Sequence, residues 1–322
     1  LVWSKIGFIA KLKVMISYST RPFAREISPP LRLRNRMLSF AQRPAIMGIL
    51  NINDDSFSGD GRLDSDWAIE RALAMVAEGA DIIDIGAESA RTNRQPIPES
   101  IEIARVIPFM ERWPAALARA TPRDAHQIFP PVLSLNTWRE PVARELLPLG
   151  FELLNDMSGL PDASNARVCA ENQAALLIMH TIGLPKQNHS HVTHKQLLPE
   201  MVRFFRNKIR LAVEAGVPAD AIVLDPGFGF AKQAHDDLKI LANLEPLLAL
   251  NHPILLPISR KGFIGRTLGL SNPAERDAGT IAVLTWCLQR GGAIFRMHNV
   301  DAAWRVRRTL EAFDNRSANP ST

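Results

Sequence analysis

The sequence predicts an α/β protein: a single (β/α)8 TIM barrel with a basic, disordered N-terminal extension. Three observations carry that expectation. Short apolar runs recur near residues 45–50, 81–86, 131–136, 153–157, 175–180, 222–226, 254–258 and 293–297, a length that suits strands buried on both faces. Between and after them lie stretches of helical periodicity at 67–78, 99–113, 141–149, 163–171, 197–215, 236–250, 274–290 and 302–313, and a parallel neighbour is reached only through such a returning helix. Finally, run after run ends on a polar side chain, as in a barrel whose strand ends gather at one mouth. Eight repeats favour closure over an open sheet, which gives 1–43 as the extension, 44–315 as the barrel and 316–322 as a tail.

The extension holds Lys5, Lys11, Lys13, Arg21, Arg25, Arg32, Arg34, Arg36 and Arg43 against one acid, Glu26. Its excess of positive charge is larger than the formal +5 of the whole chain, so the remainder of the chain is slightly acidic. A nucleic-acid or membrane arm and a plain extension, translated ahead of a start at Met15 or Met37, both fit this composition; the plain extension is the expectation. Its apolar pieces are split by Lys11 and Lys13, so no secretory core forms. Elsewhere no run approaches the roughly 18 apolar residues of a membrane span. Cys169 and Cys287 have neither paired spacing nor a third thiol, and read as small buried side chains in a reducing, cytoplasmic compartment.

Past the first run, residues 51–61 are too polar and glycine-rich for anything but a loop. Its acids suit a metal or a solvated turn. After the second run, Arg91 and Arg94 suit either an anion or a solvated rim, and 114–130 reads as a surface insertion. The third and fourth runs deliver Asn136, Asn155 and Asp156, the last a candidate cap for the turn before Gly159. His180 after the fifth run, with His189, His191 and His194, fits no ligand spacing for zinc. In 222–232, an apolar run stops at Asp225, and Pro226, Gly227 and Gly229 then force the backbone out of the strand. The last two runs deliver Lys261, then Arg296 and His298.

Barrel loops after the last two strands frequently bind phosphate. Arg296 and His298 are two residues apart, so an extended segment projects both from one face, and with Lys261 they form a candidate anion clamp. Asn136, Asn155 and Asp225 offer a carboxylate and two amides, a set suited to a flat heterocycle with amino and oxo edges. The residues alone thus describe a barrel enzyme acting on a planar ligand joined to a phosphorylated or diphosphorylated leaving group.

Several stretches resemble motifs of the dihydropteroate synthase family of pterin-binding enzymes. They are Ile46-Met-Gly-Ile-Leu-Asn51 with Asp55-Ser-Phe-Ser58, Ile83-Asp-Ile-Gly-Ala-Glu-Ser-Ala-Arg91, Asn155-Asp-Met-Ser-Gly159, Met179-His180, Asp225-Pro-Gly-Phe-Gly-Phe230, Ser259-Arg-Lys261 and Arg296-Met-His298. The resemblance covers about 45–313 and implies condensation of p-aminobenzoate with a dihydropterin carrying a hydroxymethyl diphosphate, releasing diphosphate and giving dihydropteroate in folate biosynthesis. It implies that Asn136, Asn155, Asp225 and Lys261 hold the pterin, and that Asn51, Arg296 and His298 hold the diphosphate, Asn51 through Mg2+. It further implies that Asp55 and Arg91 close over the site beside Lys261, that Ala90, Thr92, Phe230 and Gly262 lie on the p-aminobenzoate side, and that the protein is a homodimer with no nucleic-acid or membrane partner.

Three departures stand out. Asn136-Thr137 replaces an Asp-Thr pair, Ser89-Ala-Arg-Thr-Asn93 replaces Ser-Thr-Arg-Pro-Gly, and Gly262 replaces a serine. Loss of the anion at 136 corresponds to about 1–3 kcal/mol if that group accepts from the ligand. The expectation is normal binding of pterin diphosphate with atypical p-aminobenzoate and sulfonamide responses, and higher turnover in Asn136→Asp. Alternatives are a pterin-binding paralogue without synthase activity, a corrinoid-linked methyltransferase, and a Schiff-base aldolase using Lys261.

Overall fold

Valine, isoleucine and leucine fill the predicted runs because each strand is covered on both faces. The computed structural model describes residues 28–53, 61–89, 94–183, 185–187 and 193–318. A short hairpin, β1 (Leu31–Arg32) with β2 (Met37–Leu38), precedes eight barrel strands. These are β3 (Ala45–Asn51), β4 (Ile82–Gly86), β5 (Val132–Asn136), β6 (Leu153–Asp156), β7 (Ala175–Met179), β8 (Ile222–Asp225), β9 (Leu255–Leu256) and β10 (Ile294–Met297). All pair in parallel, in the order β8-β7-β6-β5-β4-β3-β10-β9. A single bridge between Leu224 and Ile254, with Leu224 N–H donating to Pro253 O at 2.9 Å, brings the two ends of the sheet together.

The returning helices are set by local chemistry. Asp64 caps helix Ser65–Glu78 by accepting from Asp66 N–H, and Gly79 ends it at φ +100°. Only glycine suits that site, since a β-carbon there would run into the Trp304 ring. Helix Glu99–Leu117 carries Pro108 and Pro114 in its interior. The pattern at 236–250 is broken into Ala234–Ala242 and Glu245–Leu248, and Gly262–Leu268 adds a helix where none was expected.

The boundary expected after residue 43 moves toward the N-terminus. Residues 28–43, counted into the disordered extension, form the hairpin and bury Leu31, Leu33, Leu38 and Phe40 in the core. Their arginines are fastened to the barrel rather than presented to a polyanion: Arg32 to Asp220, Arg34 to the carbonyls of Leu147 and Asn172, and Arg36 to Glu152. At the other terminus the last helix, Val300–Ala318, runs past the expected end of the barrel at 315.

The floor of the barrel is tied by ions. Asp81, immediately before β4 and fully buried, accepts from Arg307 Nη1 at 2.7 Å, Arg43 Nη2 at 3.3 Å and the backbone N–H of Ile46 at 2.9 Å. The stretch 114–130 belongs partly to this floor and is more than a surface insertion. Asp124 pairs with Arg43 and Trp304 Nε1, and buried Gln127 donates to the carbonyls of Val76 and Ala80.

Candidate functional site

Register brings the polar strand ends together. Asp84 on β4 lies opposite Ser134 on β5, and Asn136 at the end of β5 lies opposite Asn155 on β6. Asp84 is fully buried and collects four donors: Ser134 Oγ at 2.6 Å, Asn136 Nδ2 at 3.0 Å, Asn155 Nδ2 at 3.1 Å and Arg296 Nε at 2.7 Å. Charge-assisted hydrogen bonds of this kind fix side chains firmly. Both amides are thereby oriented with their nitrogens toward Asp84. Asn136 Oδ1 is left buried without a hydrogen-bond partner among the described residues, an acceptor suited to an N–H of a bound ring.

The second half of the site is the loop that leaves β8. Asp225 accepts from Gly227 N–H at 2.7 Å. Burial pushes its carboxyl up to about 6, against the pull of that N–H and of the charges on Lys261, Lys232 and Arg296. These cations therefore share the mouth with Asp225. Lys261 Nζ donates to Phe228 O at 2.9 Å and sits 5.0 Å from the centre of the Phe230 ring, and burial lowers its pKa. Gly227 takes φ +69°, and a β-carbon there would collide with His180 O. The glycine is what lets the loop lie against the exit of β7.

Arg296 and His298 are held by different partners. Arg296 commits Nε to Asp84, whereas His298 Nδ1 lies 2.8 Å from Ser259 Oγ, which also accepts from His298 N–H at 3.2 Å. Asn51 ends β3 beside Gly86, and its backbone carbonyl accepts from Arg62 N–H. Gly262 is exposed, with nothing within 4 Å of where a β-carbon would stand. Asp55, Ala90, Arg91 and Thr92 lie outside the described residues, as do His189 and His191.

Two candidates prove structural. Asp156 accepts from Ser158 N–H at 2.7 Å and from Asn165 Nδ2 at 3.0 Å, so it shapes the turn before Gly159. His180 is buried against Phe204, and burial pushes its imidazole down to about 2, leaving it neutral. His194 is occupied by Glu200 and the Ala231 carbonyl. Among the described residues no group of three His, Cys, Asp or Glu could hold a metal, and no helix is long and apolar enough to cross a membrane.

Sequence reading missed Asp84, which interrupts an apolar run instead of ending it. It also missed Lys232 and Asp237. The signal for Asp84 was present: an acid inside a strand buried on both faces needs partners there.

A family model described as "Pterin binding enzyme" matches residues 47–298. The chain is 38% identical over 281 residues to a dihydropteroate synthase of Bacillus subtilis (strain 168), covering 87% of this chain and 92% of that protein. A dihydropteroate synthase of Burkholderia cenocepacia, solved with 7,8-dihydropteroate, superposes with a TM-score of 0.78 at 30% identity, covering 91% of this chain and 99% of the other. That of Xanthomonas albilineans, solved with 4-aminobenzoic acid, gives 0.77 at 31% identity, over 89% and 98% of the two chains.

Proposed function

The chain belongs to the pterin-binding enzyme family, and from that premise we propose that it catalyses the reaction of dihydropteroate synthases. p-Aminobenzoate would attack the methylene carbon of 6-hydroxymethyl-7,8-dihydropterin diphosphate. A C–N bond forms, the C–O bond to diphosphate breaks, and the amine gives up a proton. The observation that carries this reading is the shared mouth: Asp84 gathers Asn136, Asn155 and Arg296, and Asp225 lies within the field of Lys261 and Arg296.

In this reading Asp225, ionised, accepts from the amino edge of the pterin, and the Asn136 and Asn155 oxygens accept from its remaining ring donors. Lys261 lies against the ring. Arg296, His298 and Asn51 take the diphosphate, and positive charge fixed in a dry mouth stabilises that group as it departs. Asn51 supplies one neutral oxygen, which fits Mg2+ carried in on the diphosphate, because that ion keeps several waters and is bound chiefly through phosphates. Mg2+ there would neutralise charge on the leaving group. Asp55 and Arg91 remain the candidates for excluding water, and Phe230, Gly262, Ala90 and Thr92 the candidates for the p-aminobenzoate side. We place the enzyme in the cytoplasm as a homodimer.

Diphosphate release, measured with both substrates and with and without Mg2+, tests the proposal. Release that depends on both substrates supports it. Tight binding of the dihydropterin diphosphate without release would favour the paralogue reading, which rests on the neutral Asn136.

A further inference from the structure

Lys232 takes no part in the chemistry above, yet it is buried beside the site. Its Nζ donates to three backbone carbonyls: His180 at 3.0 Å, Gly227 at 3.1 Å and Phe230 at 3.0 Å. An ammonium has three protons, so this cage uses all of them. Burial pushes the pKa down to about 7, against the pull of the carboxylates of Asp237, Asp225 and Asp236.

Of the two carbonyls between those of Gly227 and Phe230, that of Phe228 goes elsewhere. Phe228 O accepts from Lys261 Nζ at 2.9 Å. Two ammonium groups thus grip nearby carbonyls of one short loop, Lys232 from the end of that loop itself, tying it to His180 O at the exit of β7, and Lys261 from the exit of β9. The loop's amides are held too, Gly227 N–H by Asp225 at 2.7 Å and Gly229 N–H by Asp237 at 3.1 Å. With Gly227 and Gly229 both at positive φ, +69° and +77°, the loop has no regular ladder to hold it. Its shape depends on these side chains.

We propose that Lys232 is a positioning residue for pterin-diphosphate recognition: by fixing the Gly227 and Phe230 carbonyls it presents the Phe228 carbonyl that aims the Lys261 ammonium. The inference rests on the function proposed above. A residue acting only on stability would weaken every background alike, whereas one acting through Lys261 loses its effect once Lys261 is gone.

The experiment is a double-mutant cycle read by calorimetric titration with dihydropterin diphosphate. Lys232→Met is expected to weaken binding about thirtyfold in the wild-type background and less than about threefold in Lys261→Ala, the range of coupling seen between side chains in one network. Equal losses in the two backgrounds, or full affinity in Lys232→Met, overturn the proposal. Should Lys232→Met fail to fold, Lys232→Gln keeps an amide donor in the cage and carries the same cycle. Wild-type protein that does not bind the diphosphate ester removes both the function and this role, whereas wild-type binding with additive losses removes only the role of Lys232.

Discussion

Two buried aspartates three residues apart, one just before β4 and one within it, do opposite work. Asp81 at the floor is closed on all sides, by Arg307, Arg43 and the N–H groups of Ile46 and Ile128. Asp84 nearer the mouth is bonded only to side chains, and these reach on toward the strand ends. A carboxylate saturated by backbone and fixed arginines fastens the fold. One held by a hydroxyl, two amides and an arginine at the strand ends is suited to orient a site. The contrast matches the division between a barrel's stabilising face and its reactive one.

The largest effect expected is on the floor. Asp81→Ala leaves two buried guanidinium groups short of a partner and should cost about 3–5 kcal/mol in urea unfolding, with turnover per folded molecule unchanged. Lost turnover with intact stability would reverse the assignment of the two residues. Asp84→Asn should do the converse, lowering kcat/KM about a hundredfold, or about 2.7 kcal/mol, with a smaller loss of stability.

The third expectation concerns pH. Asp225 has to be ionised to accept from the pterin, and burial raises its carboxyl to about 6. The acid limb of kcat/KM should therefore fall near pH 6, about tenfold per unit below it, and be absent in Asp225→Asn. Stability has the opposite sign. The folded carboxyl holds its proton more tightly than the unfolded one, so this group adds stability as pH falls through about 6. Parallel falls of activity and of the Asp225 stability contribution would contradict the assignment.

Smaller effects sharpen the comparison at Asp84 itself. Asn136→Asp should raise turnover a few-fold, as the family resemblance implies, while exchanging a donor 3.0 Å from Asp84 for a second carboxylate. Like charges so placed share a proton, so the gain should fade as pH rises, and a flat pH response would show that the pair is not coupled. Smallest is Gly262→Ser. Open space at that position predicts a stability change within about 0.5 kcal/mol and a modestly lower KM for p-aminobenzoate, measured beside sulfonamide inhibition.

The strand ends were legible because a buried strand must be apolar and its exit need not be. Asn136, Asn155, Asp225, Lys261, Arg296 and His298 all stand at such exits. Asp84 was not, because inside a run an acid looks like an interruption until register supplies its partners from β5, β6 and β10. The hairpin was hidden by composition: Arg32, Arg34 and Arg36 read as a basic tail, and their partners lie as far as 188 residues away. Nothing local announces such a contact. Lys232 was hidden for a similar reason, since its acceptors are backbone carbonyls, which carry no residue signature.

The ring of strands resembles a hoop with a clasp. Seven of its junctions are ladders, and the eighth is the lone bridge from Leu224 to Ile254. That clasp lies one residue before Asp225, so the carboxylate proposed to hold the pterin hangs from the least stitched part of the wall. Amide protons there should trade with solvent sooner than those of β4 or β5, and a bound pterin, spanning both sides of the gap, would act as the missing stitch.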